Sequence, residues 1–216
     1  MLKELFKAYK IVGYGLAVKR QMGFAIAFLL IGIVMEVMTK GTMPTGGFYI
    51  VLSGMFIYQL IISSDVSTLI QASPYKKKIQ CTYPLLATAP WMYFSFAIVA
   101  IIHWFFGKDE GAEAMAMQAR TLFVIGCFLF VCLIYFGIVY KYFIVSTITM
   151  VFVITLPTIA LQRSLLNWSL FNNYGLVVVI SFAMLIVGTV LSYGISLLTY
   201  KKDISQTAFK MMLKKG

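Results

Sequence analysis

The chain is short of charge, and shortest of acid. Its 216 residues include 18 lysines and arginines, seven aspartates and glutamates, and one histidine. Charged residues make up 12% of the chain, against roughly a quarter in soluble domains. A soluble fold of this length needs more polar surface, so a soluble globular domain is excluded. No Gly-x-x-x-x-Gly-Lys-Ser/Thr loop occurs, so nothing here cradles a nucleoside triphosphate in that manner. One histidine and three cysteines give no metal-ligand cluster. Cys127 and Cys132, five apart in one apolar run, point to different helix faces, and Cys81 lies beside lysines. All three read as small unpaired hydrophobes. The first 20 residues lack a long apolar core, so no cleavable signal peptide is expected. Internal repeats are also lacking, which leaves an inverted-repeat transporter without support.

What is abundant is hydrophobicity, at 61% of residues. It gathers into runs of about 20 residues, the helix length that crosses a hydrocarbon core of about 30 Å. Six runs predict six transmembrane helices in one domain, residues 1–216. They fall at about 22–38, 47–62, 85–106, 121–140, 143–161 and 175–200. A 40-residue uncharged helix is too long to cross once, so the fourth and fifth spans are divided at Lys141-Tyr142. Ahead of them, 2–20 reads as an amphipathic helix. Leu2, Leu5, Phe6, Tyr9 and Val12 share one face, with Lys3, Lys7 and Lys10 on the other flank, which suits a helix lying in the interface plane. The expected fold is therefore an all-α integral membrane protein.

The net charge of +11 is placed as the positive-inside rule requires, not as a nucleic-acid surface. Basic residues of the two ends, of 63–84 and of Lys141 number 14, while Lys40, Lys108, Arg120 and Arg163 make 4 on the other side. This bias predicts a multi-pass protein of the cell membrane with both termini in the cytoplasm and lysines beside anionic lipid.

The segment 63–84 is too long for a tight turn. Asp65, Val66, Leu69 and Ile70 give a short helix with an apolar side. Ser73-Pro74 then starts a new helix, since serine caps and proline suits the first position. Tyr75 and Lys76-Lys77-Lys78 fall in its first turn. This pattern reads either as a platform for a soluble partner or as an interfacial loop with a positive cluster.

The run Ala72-Ser73-Pro74-Tyr75-Lys76-Lys77-Lys78 after the second of six spans resembles the cytoplasmic loop of type-2 ABC exporter permeases. The amphipathic N-terminus resembles that family's elbow helix, and the connection 163–174 sits where the family has a re-entrant hairpin. The resemblance implies a permease subunit that exports an amphipathic or hydrophobic cargo, such as a peptide, a lipid-like molecule or a drug. It implies partner coupling through Asp65, Leu69, Ser73, Pro74, Tyr75 and Lys76, and pairing with a second permease copy or a homologue. The chain itself is then not an enzyme and binds no cofactor; ATP and magnesium belong to a separate cytoplasmic ATPase. A non-transporting scaffold, or a channel or secondary transporter, is the alternative.

Within the spans, Glu36 is the one acid and a candidate for a substrate path or gate. Its place near the outer end puts it within reach of water or headgroups. Gln59 is a second candidate, though a hydrogen bond to a neighbouring helix explains it equally. His103, beside Trp104 and with no carboxylate near it in sequence, reads as an interfacial belt residue. Gly188, Ser192 and Gly194 allow close approach of another helix, in a second copy or in the same chain.

Overall fold

The computed structural model describes residues 2–13, 18–64, 74–162, 169–203 and 205–207. These residues are all-helical. α1 (Leu2–Val12) is followed by α2 (Val18–Met38) and α3 (Thr45–Ser64). After 65–73, a single π turn at Lys78–Thr82 runs directly into α4 (Tyr83–Gly107). Then come α5 (Ala112–Ile138), α6 (Phe143–Gln162), a short 3₁₀ turn at Ser169–Asn172, and α7 (Tyr174–Thr199). Four stretches are long and apolar enough to cross a membrane: α2, α4 with its π turn, α5 and α7. α3 and α6 are apolar over Thr45–Leu60 and Phe143–Leu156.

Several boundaries differ from expectation. The N-terminal helix ends at Val12, and Lys19 and Arg20 fall in the first turn of α2. The acidic stretch expected as a loop up to residue 120 is largely helix, because α5 begins at Ala112. The run Ala112-Glu113-Ala114-Met115-Ala116-Met117-Gln118-Ala119 consists of strong helix formers, and Glu113 favours a first turn. Charge in this stretch drew the eye away from propensity. By contrast the helix preceding α4 does start just after Pro74, at Lys76.

Polarity in this bundle is inverted relative to a soluble protein. Serines, threonines and the rarer ionisable groups are buried: Ser53, Thr88, Ser95, Thr121, Ser181 and Ser192 are among them. The exposed positions carry Phe24, Leu30 and Val34 on α2, Phe152 and Leu156 on α6, and Val179 and Val190 on α7. A helix bundle surrounded by lipid is expected to show this, since hydrocarbon rewards neither outward polarity nor apolar burial.

α5 is the central helix, with fully buried Leu122, Ile125, Leu129 and Leu133. Its closest partner is α7, through small residues. A Cβ on Gly126 would stand 2.9 Å from Ser181 Cβ, and one on Gly137 would stand 2.9 Å from the Ser192 carbonyl oxygen. Gly188 packs on Leu133 and Phe130. The small residues foreseen in the last span thus serve packing within the chain, whereas Gly194 has open space around it. α2 and α3 form a hairpin closed at Gly32 and Gly46, where a Cβ on Gly32 would lie 2.8 Å from the Gly46 carbonyl oxygen.

Hydrogen bonds from aromatic side chains tie the helices together. Tyr58 on α3 stacks on Phe136 at 4.3 Å between centroids and donates to its carbonyl oxygen. Tyr174 Oη donates to the Ala100 carbonyl at 2.5 Å, Trp91 Nε1 to Ser53 Oγ at 3.0 Å, and Tyr93 Oη meets Thr189 Oγ1 at 2.6 Å.

α1 is held against the base of α4. Ala8 is fully buried, and the Tyr83 hydroxyl donates to Glu4 Oε2 at 3.1 Å, with Lys78 Nζ 3.8 Å from Glu4 Oε1. The Tyr83 hydrogen bond, then Lys7, hold the Glu4 carboxyl below its ordinary range. A depressed carboxylate contributes its stabilisation at neutral pH and loses it as pH falls through the folded-state value. Docking of α1 should therefore weaken on acidification below the ordinary carboxylate range. Cysteine crosslinking between position 5 and α4, followed from neutral pH downward, checks this, and Glu4→Gln should remove the pH dependence.

Candidate functional site

The two ends of the bundle have different chemistry. At the α1 end, basic and polar groups converge on backbone. Lys141 Nζ donates to the Lys202 carbonyl at 2.5 Å and reaches Gln80 Oε1 at 3.5 Å, while Lys202 Nζ reaches the Tyr142 hydroxyl. Cys81 Sγ, in the π turn, donates to the Ser196 carbonyl at 3.3 Å. The turn between α5 and α6, the entry to α4 and the chain after α7 are thereby joined. Of the residues expected to couple to a partner, Asp65, Leu69 and Ser73 lie outside the described residues. Pro74 and Tyr75 are exposed and Lys76 is half-buried, at the same end as α1. Gln59 is half-buried within α3.

The far end holds the most closely built polar site. Glu36, near the end of α2, is fully buried, and so is His103, near the end of α4. His103 Nε2 lies 3.1 Å from Glu36 Oε2. The other carboxylate oxygen, Oε1, accepts the Gly47 backbone N–H at 2.9 Å. Gln118 on α5, 3% exposed, donates from Nε2 to the Lys40 carbonyl at 2.7 Å. One acid, one imidazole and one amide from α2, α4 and α5 therefore clasp the turn between α2 and α3.

That turn is built for the clasp. Lys40 and Gly41 both take positive φ, 50° and 66°. At Gly41 a side chain is excluded twice over. The left-handed conformation disfavours one, and a Cβ would collide with Gln118 Oε1 and lie 2.8 Å from His103 Nδ1. Gly46 is equally confined, with the Glu36 side chain where its Cβ would go.

This geometry corrects two expectations. Glu36 does not reach water or headgroups; it is covered by α3 and by His103. His103 is not a belt residue: the imidazole is fully buried, while its neighbour Trp104 is 50% exposed. The carboxylate partner lies 67 positions away in sequence, so scanning for a nearby acid missed it. The available signals were the lone acid in an apolar run and the Lys40-Gly41 turn after it. Among the described residues no group of three metal-ligating side chains occurs.

Next to the clasp is an open cleft of about 910 Å³. Its walls are the α2–α3 turn (Thr42 to Thr45), Phe48 and Tyr49 of α3, Met117 and Arg120 of α5, and Ile154 and Thr158 of α6, with Glu110 and Glu113 at the lining. This volume is in the range of small-molecule sites, and the mixture of aromatic floor and a few charges is their usual chemistry. Sequence reasoning did not find it, because its walls come from three separated segments. No family model, curated protein or solved structure matches this chain.

Proposed function

We propose that the chain is the membrane-spanning permease subunit of an ATP-driven exporter of the type-2 ABC class. In this reading all six apolar helices cross the membrane, with α3 and α6 added to the four long ones. Both termini lie in the cytoplasm, and the segment from Asp65 to Lys78 couples to a separate ATPase. The observation that supports it is the docking of α1 on the entry to α4, through Glu4, Tyr83 and Lys78. An elbow helix fixed to the helix that the coupling segment feeds is the mechanical link such a permease needs: a push on 65–78 would move α1 and α4 together. The joined turns at the same end, through Lys141 and Lys202, would carry that push to α5, α6 and α7. ATP and magnesium would be bound by the ATPase alone, and a second permease subunit would complete the pathway. The cleft beside Arg120 suits an amphipathic cargo, having an aromatic floor with charges at its edge.

The deciding experiment is co-expression with any ABC ATPase found encoded beside this chain. The two should co-purify, and nucleotide turnover should require the ATPase, because this sequence has no phosphate-cradling loop. Robust ATP hydrolysis by the purified chain alone, or failure of every adjacent ATPase to co-purify, would overturn the reading. Topology is checked separately. In a cysteine-free background, an impermeant maleimide should label Lys108→Cys in intact cells and leave Lys77→Cys unlabelled until the membrane is opened. Labelling of position 77 in sealed cells would reverse the orientation.

A further inference from the structure

The cleft beside the clasp is graded in charge along its length. Glu113, Arg120 and Phe128 line it from α5. They are spaced by seven and then eight residues, close to whole turns, so they share one face of the helix. At 1.5 Å per residue they stand about 10 Å and then about 12 Å apart along the axis. Exposure falls in the same order: Glu113 is exposed, Arg120 is half-buried and Phe128 is buried. Glu110, also exposed, joins Glu113 at the open end just ahead of the helix. Phe48 of α3 and Ile154 of α6 add apolar wall from the other helices. From its floor outward, the cleft is apolar, then cationic, then acidic.

We propose that the cleft binds a phospholipid whose head ends in a primary ammonium group. Such a molecule carries the complementary order: acyl carbon, then phosphate, then ammonium. The phosphate meets Arg120, whose planar guanidinium suits phosphate oxygens. A guanidinium has five N–H donors, so a contact within the protein leaves others for a ligand. The ammonium, with three donors, meets the carboxylates of Glu110 and Glu113, which only accept. A trimethylated head has no N–H to give them, and a glycerol head has no positive charge. The first acyl carbons lie against Phe128 and Ile154, and the chains leave through the open side into surrounding lipid.

Depth in the membrane fits this ligand. α5 has 27 residues, about 40 Å of helix against a hydrocarbon core of about 30 Å. Its charged turns are the first ones, from Glu113 to Arg120. These turns therefore stand in the headgroup layer, with Arg120 at the inner edge of it, and Phe128 lies at the depth of acyl chains. The proposal rests on reading the cleft as a site for an amphiphile, as above, and not on the ATPase. Its test uses this chain alone.

The full chain in detergent micelles is titrated with three phospholipids of identical chains, with ethanolamine, choline or glycerol heads, and bound lipid is counted by native mass spectrometry. The first equivalent of the ethanolamine lipid should bind about tenfold more tightly than either of the others, the difference made by a charge-assisted hydrogen bond. Glu110→Gln together with Glu113→Gln, both at exposed positions, should abolish that preference and leave the choline lipid unchanged. Arg120→Gln should weaken all three lipids by about tenfold; where that variant unfolds, the double glutamine variant decides. The place is read from Met117→Cys in a cysteine-free background, between Glu113 and Arg120 and 43% exposed in the wild type. The ethanolamine lipid should protect this thiol from a methanethiosulfonate reagent, and water-soluble phosphoethanolamine at the same concentration should not, lacking the chains. Equal affinity for the three heads, or a preference that survives the double glutamine variant, overturns the proposal. So does an Arg120→Gln chain that melts with the wild type and binds all three lipids unweakened, or protection by phosphoethanolamine alone. A chain that binds the lipid as stated yet co-purifies with no ATPase overturns the exporter reading and leaves this site in place.

Discussion

Glu36→Ala is expected to be the most damaging single truncation in the described bundle. It strips His103 of its carboxylate and leaves the Gly47 N–H without its acceptor, both in a site closed to solvent. Leaving a buried hydrogen-bonding group without its partner costs about 1–3 kcal/mol, more where the group is charged, and two such groups are left behind here. For a chain of this size that corresponds to a fall in melting temperature on the order of ten degrees. Thermal unfolding in detergent, followed by the loss of monodisperse protein after heating, would measure it. Glu36→Gln is the informative companion. The amide oxygen can still accept from Gly47 or from His103, so its loss should be smaller. If Glu36→Ala melts with the wild type, the clasp contributes nothing to the fold and the turn is held by the glycine contacts alone.

Leu69→Asp carries the largest expected functional effect. In the exporter reading Leu69, with Val66 and Ile70, fills a groove on the ATPase. Burying an unpaired carboxylate there costs several kcal/mol, which is more than a hundredfold in affinity. Co-purification and transport should therefore be lost while the amount of protein in the membrane stays level, because a surface segment does not govern insertion. Replacing Lys76, Lys77 and Lys78 by glutamine should do the opposite. Each lysine near an anionic leaflet is worth about 1 kcal/mol, so orientation or membrane level should suffer and docking survive. A Leu69→Asp protein that still co-purifies and transports would remove the coupling role from this segment.

The helices themselves were legible because hydrophobic run length is a local signal. Pro74 marked the start of a helix for the same kind of reason. The beginning of α5 was not, since Glu113 and Arg120 suggested a loop while the alanines and methionines between them favoured helix. Glu36 drew notice as a lone acid in an apolar run. Its partner stayed hidden, because the pairing exists only once the α2–α3 hairpin lies against α4, and nothing local to His103 encodes that. Gln118 and Gly41 were equally opaque: an amide and a glycine gain meaning only from what they touch. The coupling residues Asp65, Leu69 and Ser73 rest on the sequence resemblance.

The match between the small residues of α7 and the glycines of α5 also bears on how the chain is made. α5 is the most apolar of the four long helices and the most enclosed. Leu122, Ile125, Leu129 and Leu133 are fully covered in the finished protein, so their service comes earlier, when the helix leaves the translocon with few neighbours. α7 emerges after it, carrying Ser181, Ser192 and Ser196 on the face it must hide. Those hydroxyls find shelter only against a helix that is already there, and Gly126 and Gly137 leave the room for it. The order of synthesis thus supplies a receptor before its ligand, and α7 closes onto α5 as a binding reaction within one molecule.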